Sequence, residues 1–292
     1  MKFINHQSVA KSIKGRLTKN KFAKVVFLSS VLISLLVLGV LLGRILIQGL
    51  PHLDWQFIQN LPSRNPENAG IKTALIGSIW LMGVVAFTSL IIGVGTAIYL
   101  EEYAKKSKLT SFIEMNISNL AGVPSIVFGL LGLTVFVRYL SLGTSVLAAG
   151  LTMSLLILPV IIVSSQEAIR SVPNSLREAS YAMGATKWQT TIKVVLPSAI
   201  AGILTGVILA LSRAVGETAP LVVLGLPLFL AFLPTSLLDS MTVLPMQIYN
   251  WTSRPQVEFH DIAAAGIIVL LLLLILMNLI AIVIRNKFQK KY

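Results

Sequence analysis

Six stretches of this 292-residue chain are long and apolar enough to cross the hydrocarbon core of a bilayer as helix, and nothing else in the sequence restricts its fold as strongly. A helix rises about 1.5 Å per residue, so a core about 30 Å thick calls for roughly 20 apolar residues in a row. The runs lie at about 25–47, 73–100, 117–137, 143–165, 198–226 and 262–284. With 55% hydrophobic and only 12% charged residues, the chain lies outside the range of soluble domains. The expected fold is all-α, a polytopic membrane bundle of six transmembrane helices. The first run, Val25 to Gly43, is longer than the apolar segment of a signal peptide and has no small-residue cleavage site close behind it, so an uncleaved anchor is expected.

Charge sets the expected orientation. With the N-terminus inside, segments 1–24, 101–116, 166–197 and 285–292 carry 7, 3, 4 and 4 Lys plus Arg. The outer segments then hold only Arg64, Lys72, Arg138 and Arg254, while Arg44 and Arg213 lie within spans. The positive-inside rule therefore predicts that both termini are cytoplasmic. The net charge of +13 lies in these flanks and forms no continuous basic face, which argues against nucleic acid as a partner.

Several chemistries are excluded. There is no cysteine, and His6, His52 and His260 are far apart, so no metal site is expected. No G-x-x-x-x-G-K-[ST] occurs, so ATP work falls to a partner. The chain is expected to be no enzyme, with no catalytic residues and no cofactor of its own. The glycines of "LAGVPSIVFGLLGL" (Leu120 to Leu133) read as close-packing positions. The stretch from Pro227 to His260, broken by Pro234, Pro245 and Pro255, either folds back over the outer mouth of the bundle or is a plain outer loop.

The segment "SLREASYAMGATKWQTTIKVVLP" (Ser175 to Pro197) reads as two short helices joined by a turn. Ser175 and Glu178 form an S-x-x-E capping pattern, Leu176, Ala179 and Met183 share one face, and Gly184 supplies a left-handed stop. Thr186 and Gln189 repeat the cap, and Trp188, Ile192 and Val195 mark a second apolar face. Such a pair suits insertion into a groove on a partner protein. It equally suits lipid headgroups, where Trp188 and Lys187 would be at home.

This spacing, Glu178, Ala179, Gly184, Leu196 and Pro197, resembles the E-A-A-x3-G-x9-I-x-L-P loop of ABC importer permeases, with Ser180 and Val194 as departures. "GILTGVILALSRAVGETAPL" (Gly202 to Leu221) is similar to the permeases of the phosphate importer, of the PstA type, in which GET is followed by Ala-Pro. "AIYLEEYA", "NLAGVPSIVFGLLGL", "SVPNSLREAS" and "QIYNWTSRP" extend the similarity from about residue 70 to the end. The resemblance implies a type I importer permease fold over 70–292, with a cytoplasmic coupling loop at 166–197 and an outer loop at 227–260. It implies that Glu178, Ala179, Met183, Gly184, Trp188, Leu196 and Pro197 dock an ATP-binding subunit. It further implies a heterodimer with a homologous PstC-type permease, two PstB-type subunits carrying ATP and Mg, and a periplasmic or lipid-anchored phosphate-binding protein. Location in the bacterial plasma membrane follows.

Arg213 and Glu217 stand four residues apart inside the fifth run. Each costs about 2.5–3.5 kcal/mol at the centre of a lipid-exposed helix, so both should face the bundle interior or a wet cavity. On one straight helix Glu217 would lie one turn further out on the face of Arg213 and could pair with it, although Arg before Glu is the weaker order. Alternatively they line a pathway. A guanidinium presents a planar fork that holds two phosphate oxygens and stays charged at low dielectric, with Glu217 as its counter-charge. The resemblance favours the substrate path. Rival readings are an ABC permease for sulfate, molybdate or phosphonate, a proton-coupled secondary transporter using Glu217, and a membrane sensor without transport.

Overall fold

The computed structural model describes residues 6–288, and among these the regular elements are helices, apart from a lone bridge between Ser145 and Ser240. In chain order they are α1 (His6–Gly49), α2 (Trp55–Gln59), α3 (Lys72–Ile98) with a π-helical turn at Tyr99–Tyr103, α4 (Lys108–Leu120), and α5 (Ser125–Gly132), extended by π-helical residues Leu133–Tyr139. Then follow α6 (Val146–Arg170), α7 (Asn174–Ala182), α8 (Lys187–Thr190), a π-helical turn at Thr191–Val195, α9 (Leu196–Gly216), α10 (Ala219–Leu224), α11 (Leu244–Thr252) and α12 (Val257–Phe288). Five continuous stretches have spanning length: Lys19–His52, Lys72–Tyr103, Val146–Arg170, Lys187–Gly216 and Val257–Lys287.

Two of the expected spans are not straight. In place of one helix over 117–137, α4 and α5 meet at 104°. Gly122 and Pro124 cause the break, because proline lacks an N–H and its ring pushes the preceding residue out of helical geometry. The run at 198–226 stops at Gly216, and Glu217 takes an extended conformation with ψ 120° before α10 begins. A helix continued through Pro220 would set its ring against the carbonyl of Gly216, four residues earlier. Glu217 is therefore not one helical turn beyond Arg213 on a common face.

The bundle is built on α6, which packs against α3 on one side and α9 on the other. Contact is closest where a side chain is missing: a Cβ on Gly93 would press on Ile161, and one on Gly202 on Ala168. Ile157, Ile161, Met153, Ile203 and Val207 are buried between these helices. Small residues let the backbones approach, and dispersion contacts then hold helices that gain little from leaving lipid. By contrast, α1 is exposed along its whole membrane length and meets α12 near Gly49.

The stretch from Pro227 to His260 is not a plain loop. Its α11 is buried between α3 and α12, with Leu244 and Trp251 inaccessible to solvent and Trp251 lying 5.9 Å from the Phe57 ring. The Leu244 N–H donates to Ser78 Oγ at 2.9 Å, and the Thr242 carbonyl lies over Gly77. Val146 and Leu147 N–H groups donate to the Asp239 and Leu237 carbonyls at 3.0 and 2.8 Å, tying this segment to the start of α6. The half-buried Asp239 carboxylate accepts from the Thr235 N–H and hydroxyl and from the Ser236 N–H, which hold its pKa below the ordinary value.

Gly77→Val would thrust a branched side chain into the Thr242 carbonyl, with an overpacking cost of about 1–3 kcal/mol. The expected result is a lower unfolding temperature in detergent, with Gly83→Val, whose Cβ meets open space, leaving it unchanged. Equal midpoints for the two variants would rule out this seating of the 241–252 segment.

Candidate functional site

At one end of the bundle the closing residues of α3 and α6 meet α4, α7 and α8. The turn between the short helices is a Schellman motif: Gly184 has φ +81°, its N–H donates to the Tyr181 carbonyl at 2.9 Å, and the Ala185 N–H reaches Ser180 at 3.2 Å. Thr186 and Gln189 form the expected capping box, with the Gln189 N–H on Thr186 Oγ1 at 3.3 Å and the Thr186 N–H on Gln189 Oε1 at 2.9 Å. Ser180 and Thr190 hydroxyls, 2.9 Å apart, join the two helices across the turn.

The other expected cap is absent. Pro173 occupies the N-cap position of α7 without a side-chain cap, so Ser175 already lies in the first turn, where its hydroxyl cannot reach forward to a free N–H. Glu178, Ala179, Met183 and Trp188 are exposed, Met183 to 88% and Trp188 to 64%. An uncovered methionine and tryptophan on so small a helix pair leave an apolar surface that none of the described residues buries. Leu196 and Pro197 are not on that surface. They lie half-buried at the root of α9, and Leu196 packs on the core. The second apolar face is split as well, with Trp188 and Ile192 exposed and Val195 buried. Pro197 does not interrupt the helix running from Lys187 to Gly216, because the wider π-helical turn before it absorbs the missing hydrogen bond.

Beneath the helix pair lies a charged network that sequence reasoning missed. Arg177 Nη2 and Nε both meet Glu102 Oε1, at 2.9 and 3.3 Å, with the two side chains 16% and 7% exposed. Arg177 also donates to the backbone carbonyls of Val172 at 2.6 Å and Ile169 at 3.0 Å. Arg170 reaches Glu101 at 2.5 Å, Glu167 at 3.3 Å and Glu114 at 3.7 Å, and Gln166 Nε2 donates to Glu101 and Glu114 at 3.4 Å. Lys187 Nζ stands 5.3 Å from the Tyr103 ring centroid. Glu101, Glu102, Glu114, Arg170, Arg177 and Lys187 line a cleft of about 930 Å³. The available signal was the acidic pair of "AIYLEEYA" directly after an apolar run, but its basic partners are some 75 residues away in sequence.

The second group is Arg213 and Glu217. Arg213 occupies the last turn of α9, where a cation favours the unpaired carbonyls, and is exposed; Glu217 is half-buried at the helix end. Among the described residues the ion pairs involve Arg170 and Arg177, so Arg213 and Glu217 form no pair with each other. Gly202 lies against Ala168 and Gly206 against Ser164, and continuing this antiparallel register brings Arg213 about level with Ile157, near the middle of α6. Within hydrocarbon, non-helical backbone such as that at Glu217 is tolerated only where protein covers it or water reaches it. Gly129 of α5 packs directly on Pro220, covering one side of the break.

The family described as binding-protein-dependent transport system inner membrane component matches residues 89–292. The chain is 37% identical over 254 residues to the phosphate transport system permease protein PstA of Mycobacterium leprae, covering 84% of this chain and 81% of that one. Its identity to PstA of Yersinia pestis is 32% over 286 residues, covering 98% and 95%. It is 36% identical to the probable ABC transporter permease protein YqgI of Bacillus subtilis, over 71% of this chain and 70% of the other. Among solved structures, the fold is similar to the MetNI methionine ABC transporter in an inward-facing conformation, with TM-score 0.60 and 19% identity over 73% of this chain and 94% of that one.

Gly184→Val places a β-branched residue in left-handed geometry at about 1–2 kcal/mol. Hydrogen exchange at the amides of residues 181–189 should quicken roughly 5- to 30-fold. Exchange at the wild-type rate would exclude the Schellman turn as what holds the pair.

Proposed function

We propose that this chain, which belongs to the family of binding-protein-dependent transport system inner membrane components, is a permease subunit of an ATP-driven phosphate importer. The observation that carries the reading is the likeness to the Yersinia pestis phosphate permease over 98% of the chain at 32% identity. The exposed helix pair agrees with it, since a permease without an ATP site of its own needs a surface on which an ATPase can push.

In this reading both termini are cytoplasmic, and a homologous PstC-type permease faces Arg213 across the path. Two PstB-type subunits bind ATP and Mg and dock on α7 and α8 through Glu178, Ala179, Met183, Gly184 and Trp188, while Leu196 and Pro197 anchor the pair to α9. A periplasmic or lipid-anchored binding protein delivers phosphate to the outer mouth, beneath which α11 is seated. ATP-driven closure of the ATPases then moves the helix pair and the bundle between inward and outward states.

Arg213 offers two N–H donors to two oxygens of one phosphate at mid-bundle depth, where low dielectric strengthens the contact. Arg213 has no ion pair among the described residues, which leaves the fork available, and Glu217, set at the helix break, supplies a nearby negative charge when the path is empty. That same charge opposes anion entry, so the path releases phosphate instead of trapping it.

In proteoliposomes holding both permeases, the ATPase and the phosphate-loaded binding protein, Arg213→Gln should abolish phosphate uptake while the complex still assembles. Uptake at the wild-type rate would end the substrate-path role. Absence of phosphate uptake by the wild-type complex, with flux of sulfate or another oxyanion in its place, would overturn the substrate assignment.

A further inference from the structure

Covalent connections alone do not carry movement of the α7–α8 pair to every helix near the path. The pair is continuous with α9 through the π-helical turn at Thr191–Val195, and residues 171–173 join it to α6. Neither α3 nor α4 has such a connection. The polar bond from the pair to the turn that ends α3 is made by Arg177, with a lesser contact from Lys187 to Tyr103.

We propose that Arg177 and Glu102 form a latch that hands displacement of the coupling pair to the end of α3 and, through α4 and α5, to the helix break beside Glu217. This rests on the reading of α7 and α8 as the surface that an ATPase moves. Four observations support it. The guanidinium engages Glu102, the Ile169 carbonyl of α6 and the Val172 carbonyl just after it at once, so α7 cannot turn without dragging on the 99–103 turn. The pair is largely shielded from water, its side chains 16% and 7% exposed against 50% for Arg170. Shielding keeps the attraction from being screened, and the planar fork fixes direction where an apolar contact would slide. From the 99–103 turn the path continues to α4, whose Glu114 is held with Glu101 by Arg170 and Gln166. From there α4 leads to α5, and Gly129 of α5 bears on Pro220, three residues after Glu217.

Arg177 and Glu102 are thus positioning residues, remote from phosphate and from ATP. Losing the latch should leave docking and ATP hydrolysis in place and disconnect them from transport. Pathway claims of this kind need an energetic test, which the absence of native cysteine makes direct.

In proteoliposomes containing the full complex, phosphate imported per ATP hydrolysed is measured for wild type, Glu102→Gln, Arg177→Lys and the double variant. The expected result is assembly and binding-protein-stimulated hydrolysis near the wild-type level, with the ratio falling within the roughly 5- to 150-fold range of site-to-site couplings. The double variant should fall no further than the singles, because the two residues act as one unit. Glu102→Cys with Arg177→Cys should lose the ratio likewise and regain it when a short bis-maleimide bridges the two thiols after assembly. The latch is overturned by an unchanged ratio, by hydrolysis and uptake falling together, or by failure of the bridge to restore transport. Loss of phosphate uptake in the wild-type complex would instead strike at the functional reading beneath it.

Discussion

Every backbone N–H and C=O inside hydrocarbon must find a partner within the protein, and the rest of this structure depends on that requirement. It is met by helices running antiparallel on either side of α6. It also explains why the breaks matter. The chain leaves helical geometry at 121–124 and at Glu217 and Thr218, and the two breaks come together because Gly129 of α5 packs against Pro220 of α10. A proline that could not be accommodated in a straight span has been turned into a junction, and the one exposed arginine of α9 stands one turn before it.

Two kinds of contact hold the bundle. Along the membrane depth the joints are small residues and branched aliphatics, with Gly93 against Ile161 and Gly202 against Ala168. At the end bearing α7 and α8 the joints are charged, and Arg170 and Arg177 bind four glutamates, two from the 99–103 turn, one from α4 and one from α6 itself. Apolar joints between helices are adaptable, whereas a guanidinium fork specifies angle and register. On the proposed reading, in which an ATPase acts at one end of a permease that changes shape as a whole, this division suits the task.

Much of the site could be read locally. Gly184 and the Thr186–Gln189 box sit in a window of six residues, and short-range chemistry fixes both. The S-x-x-E pattern failed for an equally local reason, since Pro173 had already claimed the helix start. Arg213 and Glu217 were identifiable as an anomaly within an apolar run, yet their i, i+4 spacing misled, because the helix that would have aligned them ends at Gly216. The partners of Arg170 and Arg177 were not legible at all. Glu101 and Glu102 belong to a different helix, and hydropathy carries no record of which span ends meet.

What the sequence determined by itself was therefore the membrane, the helical class, the approximate spans and the turn chemistry of the α7–α8 pair, because each follows from solvent transfer or from bonds within a few residues. Only the tertiary structure decided that α11 is buried between α3 and α12, that the third span is a bent pair, and that Arg177 meets Glu102. Those outcomes turn on the packing of backbones separated by tens of residues, where shape complementarity selects among many arrangements that hydrophobicity alone leaves nearly equal.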